Sequence, residues 1–395
     1  MYREPTVLIK LREPGSCYTP PLGLWSLKAN WHHADVTVFD DHLNWPIKFN
    51  WKNHDNSTIG LSVQFSVQHQ EMIDWIKIIR QQCNNTKIIL GGHHISSICK
   101  DSDMLDAMRF FVDRIQIGYG EGVPFDQIEL PVIPRYALEQ YWKANRPHNL
   151  KSRTKRWVPI ETSRGCDGHC AYCGMPHFAG RWKGFSLDKL KTQLEAYKDL
   201  GVKEVFIEDD NVSYYKDRFL DLIQLLKDLR LHWSCPNGIA VQTFFHSGVV
   251  RALDHSTCWR VSLPFETGSL HTAQLMRIGP KFVEWTYADS LIRTLRKIKI
   301  KTTGFFLIGY PGETEEDVLL TLRYANALDL DDIYIYIATP YPGTPLYNEC
   351  LRKGYIEAPV DYSALTYTQC IVNTPWLSAK RVVELRDQDR KENRK

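Results

Sequence analysis

Three cysteines stand close together near the middle of the chain, at Cys166, Cys170 and Cys173. Their CxxxCxxC spacing lies on a glycine-containing loop directly after a strand-like run at residues 157–161. Thiolates are soft metal ligands, and three of them on so short a loop can hold one face of an iron–sulfur cluster. Because a four-iron cluster held by three cysteines keeps one iron open, the motif predicts a 4Fe-4S cluster that can bind a further ligand.

Two other uses of these thiols stay open at this point. A structural zinc ion could be held by the three cysteines together with His169 or His177, although zinc sites usually start from paired CxxC units. A disulfide framework fits less well, because the ten cysteines are otherwise scattered and the N-terminus lacks a secretory signal. We therefore expect a reduced, cytoplasmic protein.

Length and charge favour an ordinary enzyme of about two or three domains. The chain has 395 residues, 43% of them hydrophobic, and 49 basic side chains stand against 46 acidic ones. The resulting net charge of +3 does not indicate a nucleic-acid-binding protein. All apolar runs are far shorter than the about 18 residues of a membrane span, so we expect no membrane association.

Strand and helix patterns alternate in the first 126 residues, which we interpret as one domain. Apolar runs predict strands at 6–11, 35–39, 59–65, 87–90 and 111–117, and helical patterns cover 22–31 and 70–83. Such alternation implies a parallel, doubly wound, Rossmann-like sheet, which binds ligands beyond the carboxyl ends of its strands. The loops expected there are rich in Gly, Pro and His.

The remainder of the chain predicts a second α/β domain after a linker. Residues 127–156 contain prolines and end in a basic run, which we interpret as a linker with a solvated face. Residues 157–347 predict six strand–helix units, which fit a partial (β/α)6 barrel with its chemistry at the carboxyl ends of the strands. Residues 348–395 form a short extension that ends in a solvated helix or a frayed terminus. The six strands are predicted at 157–162, 202–208, 235–241, 258–266, 302–308 and 332–338.

Polar and glycine-containing motifs follow the predicted barrel strands. They are Asp209-Asp210-Asn211 after the second strand, Glu266-Thr267-Gly268-Ser269 after the fourth, and Gly309-Tyr310-Pro311-Gly312-Glu313-Thr314 after the fifth. Each also has an ordinary explanation, an Asx-turn for Asp209 and a helix N-terminus for Glu266. Arg260 shares a strand face with Glu266, so it either enters the barrel or forms a buried ion pair.

With Tyr172 just before its last cysteine, the cysteine loop resembles the signature of the radical S-adenosylmethionine (radical SAM) enzymes. In that family the amino acid end of SAM chelates the open iron. The resemblance covers roughly residues 5–347 and implies a SAM site in the barrel. It implies contacts to the SAM amino group and ribose from Asp209, Asp210 and Asn211, further contacts from Glu266 and Ser269, and an adenine site near Tyr172, Gly174, Ile308 and Gly309.

The N-terminal region is similar to the cobalamin-binding domain that precedes the barrel in one large radical SAM subfamily. The resemblance rests on Pro20-Pro21-Leu22-Gly23-Leu24, Gly91-Gly92-His93-His94 and Gly118-Tyr119-Gly120-Glu121-Gly122. It implies cobalamin contacts from Thr19, Pro20, Gly23, Gln64, Gln68, Gly91, Gly92, His93, His94, Gly118, Gly120 and Glu121. The sequence lacks the DxHxxG motif that supplies a cobalt ligand in other cobalamin proteins, which leaves the lower ligand open. We also expect a positive φ at Gly91 and Gly118.

The resemblance implies a cobalamin-dependent radical SAM methyltransferase that acts on an unactivated carbon. Its cofactors would be a 4Fe-4S cluster, SAM and cobalamin, and its partner an external electron donor of the flavodoxin or ferredoxin type. A small-molecule, nucleotide or peptide substrate is expected at the domain junction. A cobalamin-associated rearrangement, ring contraction or oxidative cyclisation would use the same motifs, and a zinc-stabilised interaction protein is the non-enzymatic alternative.

Overall fold

The computed structural model describes residues 4–12, 18–44, 54–83, 85–99, 102–147 and 151–393. The chain divides into two compact units, one of Met1–Glu161 with Phe185–Glu204 and one of Thr162–Gly184 with Val205–Lys395. Within the described ranges, no helix has the length and apolar character needed to cross a membrane.

The first unit contains a five-stranded parallel sheet. Its strands are β1 (Glu4–Lys10), β2 (Ala34–Asp40), β3 (Thr58–Ser62), β4 (Lys87–Gly91) and β5 (Arg114–Ile115). The order is β2-β1-β3-β4-β5, and all four strand pairs are parallel. In this order the winding reverses between β1 and β3, so the carboxyl ends of these two strands mark the place where such sheets bind ligands.

Helices lie between these strands and, in the case of α6, after the last of them. They are α1 (Leu22–Asn30), α2 (Asp41–Asn44), α3 (His69–Gln82), α4 (His93–Ile98), α5 (Ser102–Arg109) and α6 (Arg135–Ala144). Helix α3 buries Met72, Trp75, Ile76 and Ile79, whose spacing of three and four residues places them on one helical face. This periodicity is the reason that the sequence predicted α3 to within one residue at each end.

Two parts of the first unit differ from the sequence interpretation. The fifth strand covers only Arg114–Ile115 of the predicted 111–117, because Phe111 is 58% exposed and Gly118 turns the chain with φ +70°. The stretch 127–156, interpreted as a linker, contains α6, which buries Leu138 and Tyr141. The domain bounds themselves stay a prediction.

A six-stranded sheet forms from the later part of the chain. Its strands are β6 (Trp157–Ile160), β9 (Glu204–Ile207), β10 (His232–Cys235), β11 (Cys258–Glu266), β12 (Lys301–Ile308) and β13 (Asp332–Ile337). Two further strands of two residues each, β7 (Ser163–Arg164) and β8 (Lys183–Gly184), lie between β6 and β9 in the chain. The order of the large sheet is β13-β12-β11-β10-β9-β6, whereas β7 and β8 form a separate antiparallel pair. Six strands in sequential order agree with the predicted partial barrel.

Helices follow the strands of this sheet. They are α7 (Met175–Phe178), α8 (Leu187–Asp199), α9 (Lys216–Asp228), α10 (Ser247–Asp254), α11 (Leu270–Leu275), α12 (Trp285–Lys297), α13 (Glu315–Ala327), α14 (Pro345–Arg352) and α15 (Ala379–Asn393). Aromatic rings on one face of the sheet pack against α13. The ring centroid of Phe306 in β12 lies 6.0 Å from that of Tyr324 in α13. That face is the helix-covered side, so alternate residues of β11, β12 and β13 point to the opposite face.

The third barrel strand was placed wrongly from the sequence. It was predicted at 235–241, but β10 covers His232–Cys235 and residues 241–245 form a short 3-10 helix. Pro236 has no N–H to donate to a neighbouring strand, and Gly238 adopts φ +109°, so the chain leaves the sheet there.

The C-terminal extension packs against the second unit as a helix instead of remaining solvated. Val382 and Leu385 of α15 are buried, and α15 contacts α13. The guanidinium of Arg381 donates to the carboxylate of Glu315 at 2.6 Å. The many charged residues of this segment led to the prediction of a solvated helix or frayed terminus, although Val382 and Leu385 form a buried apolar face.

Candidate functional site

The three cysteines lie on the loop between β7 and α7, each partly buried and none in a disulfide. Backbone N–H groups point at two of the sulfurs: Gly168 donates to Cys166 Sγ at 3.3 Å, and Met175 donates to Cys173 Sγ at 3.4 Å. Burial raises the pKa of the Cys173 thiol to about 12. A bound cation removes such a proton readily, so this loop is suited to metal-bound thiolates.

The donor set fits a multi-iron cluster. A Cβ at Gly168 would lie 3.3 Å from Cys166 Sγ and 3.9 Å from Cys170 Sγ, so glycine keeps a side chain away from these two sulfurs. Across the described residues, no group of three or more His, Cys, Asp or Glu could hold a single metal ion. Zinc needs its ligands within about 2.0–2.3 Å, whereas a cluster takes each cysteine on a different iron.

For the predicted zinc alternative, His169 is exposed on the cysteine loop, and the side chain of His177 lies outside the described residues.

Asp209 follows β9 and is turned toward the start of the cysteine loop. Its carboxylate accepts the backbone N–H and the hydroxyl of Thr162, both at 2.6 Å, and the hydroxyl of Ser163 at 2.5 Å. Burial raises the pKa of Asp209, and these hydrogen bonds oppose that shift. The predicted SAM contact is thus a side chain whose oxygens are engaged within the protein.

The next two residues of the same motif reach the loop itself. Asp210 accepts the backbone N–H of Gly165 at 2.8 Å, and burial raises the pKa of its carboxyl to about 6. The side-chain amide nitrogen of Asn211 lies 4.0 Å from Cys166 Sγ, and the backbone carbonyl oxygen of Asn211 accepts the indole N–H of Trp182 at 2.9 Å. The Asp-Asp-Asn motif therefore positions the first half of the cysteine loop.

Glu266 ends β11 in a strained backbone conformation. Its φ is +67°, in the left-handed region that side chains other than glycine rarely adopt, and the β11–β12 register shifts between Pro264 and Glu266. Burial raises the pKa of Glu266 to about 7, although Tyr172 and Lys281 lower it. The bulge brings the Glu266 carboxyl group next to Tyr172 of the cysteine motif, which donates a hydrogen bond to it.

Ser269 has a structural role at the start of α11. Its hydroxyl caps the helix by accepting the N–H of Thr272 and donates to Asp317 at 2.6 Å. Asp317 in turn accepts the backbone N–H of Thr314 at 2.9 Å in the capping box of α13. The hydroxyl of Ser269, like the carboxylate of Asp209, is therefore already hydrogen-bonded to neighbouring protein groups.

The predicted adenine site lies where β12 ends. Ile308 is fully buried, and Gly309 has φ +79°; a Cβ there would lie 2.9 Å from Val382 Cγ1 of α15. Gly174 stands at the start of α7. A Cβ at this position would have the methyl carbon of Thr344 as its nearest neighbour, at 3.9 Å. Glu313 holds the loop after β12 by accepting the backbone N–H of Tyr310 at 2.8 Å.

Arg260 forms the ion pair that was one of the two sequence alternatives. Its guanidinium donates to the carboxylate of Asp332 and, at 3.0 Å, to the hydroxyl of Thr303. The pair joins β11 to β13 across β12, so it stabilises the sheet.

Aromatic rings line the face of the sheet opposite α13, a feature that sequence reasoning missed. The ring centroids of Phe305 and Tyr334 are 5.9 Å apart, and the stacked rings of Tyr334 and Tyr336 have centroids 6.0 Å apart. The alternating tyrosines of β13 were the available signal. In a barrel of this kind, the face away from the helices is the inner one.

In the first unit, the glycine with positive φ after β4 is Gly92 and not Gly91. Gly92 has φ +102°, and a Cβ there would lie 2.4 Å from the carbonyl oxygen of Val63. At Gly91 a Cβ would lie 3.6 Å from Gln116 Cβ and 3.7 Å from the Gln116 carbonyl oxygen, which are ordinary contacts. The expected positive φ is found at Gly118, at +70°, whose N–H donates to Ser96 Oγ at 3.0 Å.

His94 is buried and both of its ring nitrogens have partners. Its Nε2 lies 2.9 Å from His69 Nδ1, and its Nδ1 lies 3.1 Å from Ser66 Oγ. Burial lowers the pKa of His94 to about 3, so the ring is neutral. His93 begins α4 and has a solvent-accessible side chain, but burial of its ring lowers its pKa to about 4, so this ring is neutral as well.

Several other predicted cobalamin contacts also support the local fold. Gln68 accepts the backbone N–H groups of Gln64 and Phe65, both at 2.9 Å, and so closes the loop after β3. Glu121 accepts the hydroxyl of Ser26 at 2.6 Å, and the carbonyl oxygen of Gly120 accepts the indole N–H of Trp31. Near Pro20, the carbonyl oxygen of Thr19 accepts from the buried Lys10 at 2.7 Å, whereas a Cβ at Gly23 would meet nothing within 4 Å.

Comparison with known proteins places the chain in a family. A family model described as the Radical SAM superfamily matches residues 160–325. The chain is 30% identical over 379 residues to an uncharacterized methyltransferase of Pyrococcus horikoshii, a match that covers 85% of this chain and 80% of the relative. It is 27% identical over 272 residues to cytidylyl-2-hydroxyethylphosphonate methyltransferase of Streptomyces wedmorensis, which covers 66% of this chain and only half of that enzyme.

Among solved structures, the chain is similar in fold to the radical SAM methyltransferase TsrM of Kitasatospora setae. The form with cobalamin and a [4Fe-4S] cluster bound has a TM-score of 0.69 at 16% identity, over 91% of this chain and 80% of that one. The form with tryptophan substrate and a SAM analogue bound has a TM-score of 0.67 at 17% identity, over 90% of this chain and 78% of that one. The predicted α/β fold class is confirmed.

The chain belongs to the radical SAM superfamily. The resemblance that the cysteine loop indicated is confirmed, and the protein is a radical SAM enzyme.

Proposed function

We propose that the chain is a cobalamin-dependent radical SAM methyltransferase that methylates an unactivated carbon. The observation that carries the proposal is the loop of Cys166, Cys170 and Cys173, in which backbone N–H groups donate to the sulfurs of Cys166 and Cys173 and a glycine at position 168 leaves space beside the sulfurs of Cys166 and Cys170. The names of both curated relatives and the fold of TsrM support the methyl-transfer part.

The three cysteines would hold the 4Fe-4S cluster in this proposal. SAM would bind at the carboxyl ends of the barrel strands, with Glu266 as the acceptor for its amino group, because a buried carboxylate attracts an ammonium ion strongly. The remaining direct contacts to SAM would come from Tyr172, Gly174, Asp210, Asn211, Ile308 and Gly309. Asp209 and Ser269 would act behind them, since their oxygens are engaged by neighbouring protein groups.

Cobalamin would bind at the carboxyl edge of the first sheet. The winding of that sheet reverses between β1 and β3, which is where doubly wound sheets bind their ligands. Thr19, Pro20 and Gly23 follow β1, and the further contacts are those predicted after β3, β4 and β5. His93 and His94 are the candidates for a lower cobalt ligand, and His94 would have to exchange its hydrogen bond with His69 or Ser66 for the cobalt.

When bound, the cluster and SAM would supply radical chemistry, and cobalamin would supply the methyl group. The chain's own contribution is to bind these groups, orient them and exclude water from the reacting atoms. An external donor of the flavodoxin or ferredoxin type would provide electrons, and a small molecule, nucleotide or peptide would be the substrate. We place the domains at 1–126, 157–347 and 348–395, with 127–156 between the first two, in a cytoplasmic protein.

Anaerobic incubation tests the proposal. Reconstituted protein is mixed with a reductant, SAM and cobalamin, and mass spectrometry follows 5′-deoxyadenosine and a gain of one methyl group on candidate substrates. The triple variant Cys166→Ala, Cys170→Ala, Cys173→Ala should lose iron and all SAM cleavage, whereas Cys370→Ser serves as a control outside the loop. Stoichiometric zinc without iron in the wild-type protein would contradict the cluster, and a rearranged product without added methyl would contradict methylation.

A further inference from the structure

Lys281 brings a positive charge to the cysteine loop from a distant part of the chain. Its ammonium nitrogen lies 3.4 Å from Cys170 Sγ, and 3.3 Å from the position that a Cβ on Gly168 would occupy. Lys281 is 111 residues beyond Cys170 and lies outside every motif that the sequence singled out. Tertiary structure alone brings it to the proposed cluster.

The backbone that carries Lys281 is held firmly. Its N–H donates to the carbonyl of Ile278 at 2.7 Å, and its carbonyl accepts the side-chain amide of Gln242 at 2.6 Å. Ile278 is buried in the same apolar cluster as Ala171 and Met276. The ammonium group therefore extends from a fixed point.

The same segment is tied directly to the cysteine loop. The N–H of Ala171, the residue after Cys170, donates to the carbonyl of Met276 at 3.0 Å, five residues before Lys281. This backbone hydrogen bond holds the segment that leads to Lys281 beside the cysteine loop. A lysine that reached the loop only through its flexible side chain would lack this connection.

The charges around the loop make Lys281 its counter-ion. A lysine ammonium is charged at neutral pH, and here it faces the sulfurs of Cys166 and Cys170 and the carboxyl of Glu266. Lys281 and Arg181 are both exposed, but Arg181 pairs with the carboxylate of Asp167 at 3.2 Å, whereas the Lys281 ammonium contacts the Cys170 sulfur. Lys281 is therefore the cation that contacts a cysteine of the loop directly.

We infer that Lys281 is a positioning residue that hydrogen-bonds the Cys170 thiolate and raises the reduction potential of the cluster site. The inference rests on the proposed function, because it requires a cluster on the three cysteines. One electron that enters the site from the external donor adds one negative charge next to Lys281, and no bond forms or breaks. A nearby cation stabilises that added charge, and hydrogen bonds to cluster sulfurs are among the factors that set such potentials.

The test compares Lys281→Met, which keeps the length but removes the charge, with Lys281→Arg, which keeps the charge. Lys297→Met, an exposed lysine in α12, controls for the change in net charge. The midpoint potential is measured by a redox titration followed by electron paramagnetic resonance, on reconstituted protein without SAM. Iron content is measured first, on every variant.

Loss of a charge-assisted hydrogen bond changes an equilibrium by about tenfold or more. For one electron a tenfold change corresponds to 59 mV. We expect the midpoint of Lys281→Met to be more negative by about that amount or more, with Lys281→Arg and Lys297→Met close to wild type. If Lys281→Met loses iron and Lys281→Arg retains it, the result would also support a role for the positive charge at position 281 in holding the cluster.

An unchanged midpoint in an iron-loaded Lys281→Met protein would overturn the inference while leaving the proposed function intact. The same holds if Lys281→Arg shifts as far as Lys281→Met, or if Lys281→Met weakens only SAM binding. A wild-type protein without iron would instead refute the proposed function itself, and iron analysis detects that outcome before any potential is measured.

Discussion

The carboxylate of Asp209 accepts the backbone N–H of Thr162 at 2.6 Å, so a side chain two residues beyond β9 holds the residue that leads into the cysteine loop. Both residues are almost fully buried, and the Thr162 hydroxyl donates to the same carboxylate at 2.6 Å. The sequence alone indicated Asp209 as a direct SAM contact. Its position indicates that it supports the cluster loop from behind.

We predict that Asp209→Ala will destabilise the protein and lower its iron content together. The substitution leaves the buried Thr162 N–H without its acceptor, which costs about 1–3 kcal/mol of unfolding free energy. Denaturant unfolding and iron analysis after reconstitution measure the two effects. Normal stability and iron, with weakened SAM binding only, would restore the direct-contact interpretation.

Glu266 allows a prediction that separates backbone strain from ligand binding. Glu266→Ala should weaken SAM binding about ten- to a hundredfold, because a lost charge-assisted hydrogen bond is worth about 1.5–3 kcal/mol. Glu266→Gly should lose the same affinity but fold more stably than the alanine variant by about 1–2 kcal/mol, since glycine adopts φ +67° without strain.

The measurements for Glu266 are SAM affinity by calorimetry and stability by denaturant unfolding, with iron content as the control. Equal stabilities of the alanine and glycine variants would show that the left-handed conformation carries no strain. Wild-type SAM affinity in both variants would remove Glu266 from the proposed site.

The first unit offers adjacent glycines with opposite expectations. Gly92→Ala should lower the free energy of unfolding by about 3 kcal/mol or more, because φ +102° is unfavourable for alanine and its Cβ would meet the Val63 backbone at 2.4 Å. Gly91→Ala should be close to neutral, since its Cβ makes only an ordinary contact with Gln116. Thermal unfolding of the two variants, read side by side, tests the assignment; equal losses would refute it.

Gly91 is the better position for testing cobalamin binding, because a larger side chain there introduces no backbone strain. We predict that Gly91→Trp abolishes retention of cobalamin and leaves the iron content unchanged. The visible spectrum and the cobalt content of protein produced with cobalamin supplied provide the measurement. Gly91→Ala is the matched control, and full retention by the tryptophan variant would place the cofactor elsewhere.

Glu313 predicts a pH dependence of stability. Burial raises the pKa of its carboxyl from 4.5 to about 7; Asp317 raises it further, Tyr310 and Thr272 lower it through hydrogen bonds, and Cys370 also lies close by. Between pH 4.5 and 7 the folded state holds a proton that the unfolded state has lost, so stability falls as pH rises through this window. At 1.36 kcal/mol per pKa unit, the loss is at most about 3 kcal/mol.

Glu313→Gln should remove this part of the pH dependence, because glutamine does not titrate. Unfolding by denaturant at pH 5 and pH 8 gives the difference for each protein. Glu316→Gln, at an exposed position of α13 paired with Arg323, should keep the wild-type difference. If Glu313→Gln also keeps the wild-type difference in stability between pH 5 and pH 8, the Glu313 carboxyl does not cause that difference.

Much of the fold could be predicted from local patterns. The strand Cys258–Glu266 has the bounds that periodicity indicated, and α3 differs from its predicted bounds by one residue at each end, because alternation and helical spacing describe faces that are buried locally. The third barrel strand was misplaced, since the apolar residues at 239–241 continue the pattern beyond Pro236 although the chain has left the sheet.

Sequence by itself determined the cysteine loop, the order of strands and helices, and the polar motifs at the strand ends, because spacing and periodicity are properties of neighbouring residues. Only the tertiary structure decided the direction of each side chain in those motifs. Asp209 and Ser269 turn to protein partners and Glu266 is redirected by a bulge, since contacts between distant segments set these orientations. Lys281 reaches Cys170 across 111 residues for the same reason, and no local pattern encodes that approach.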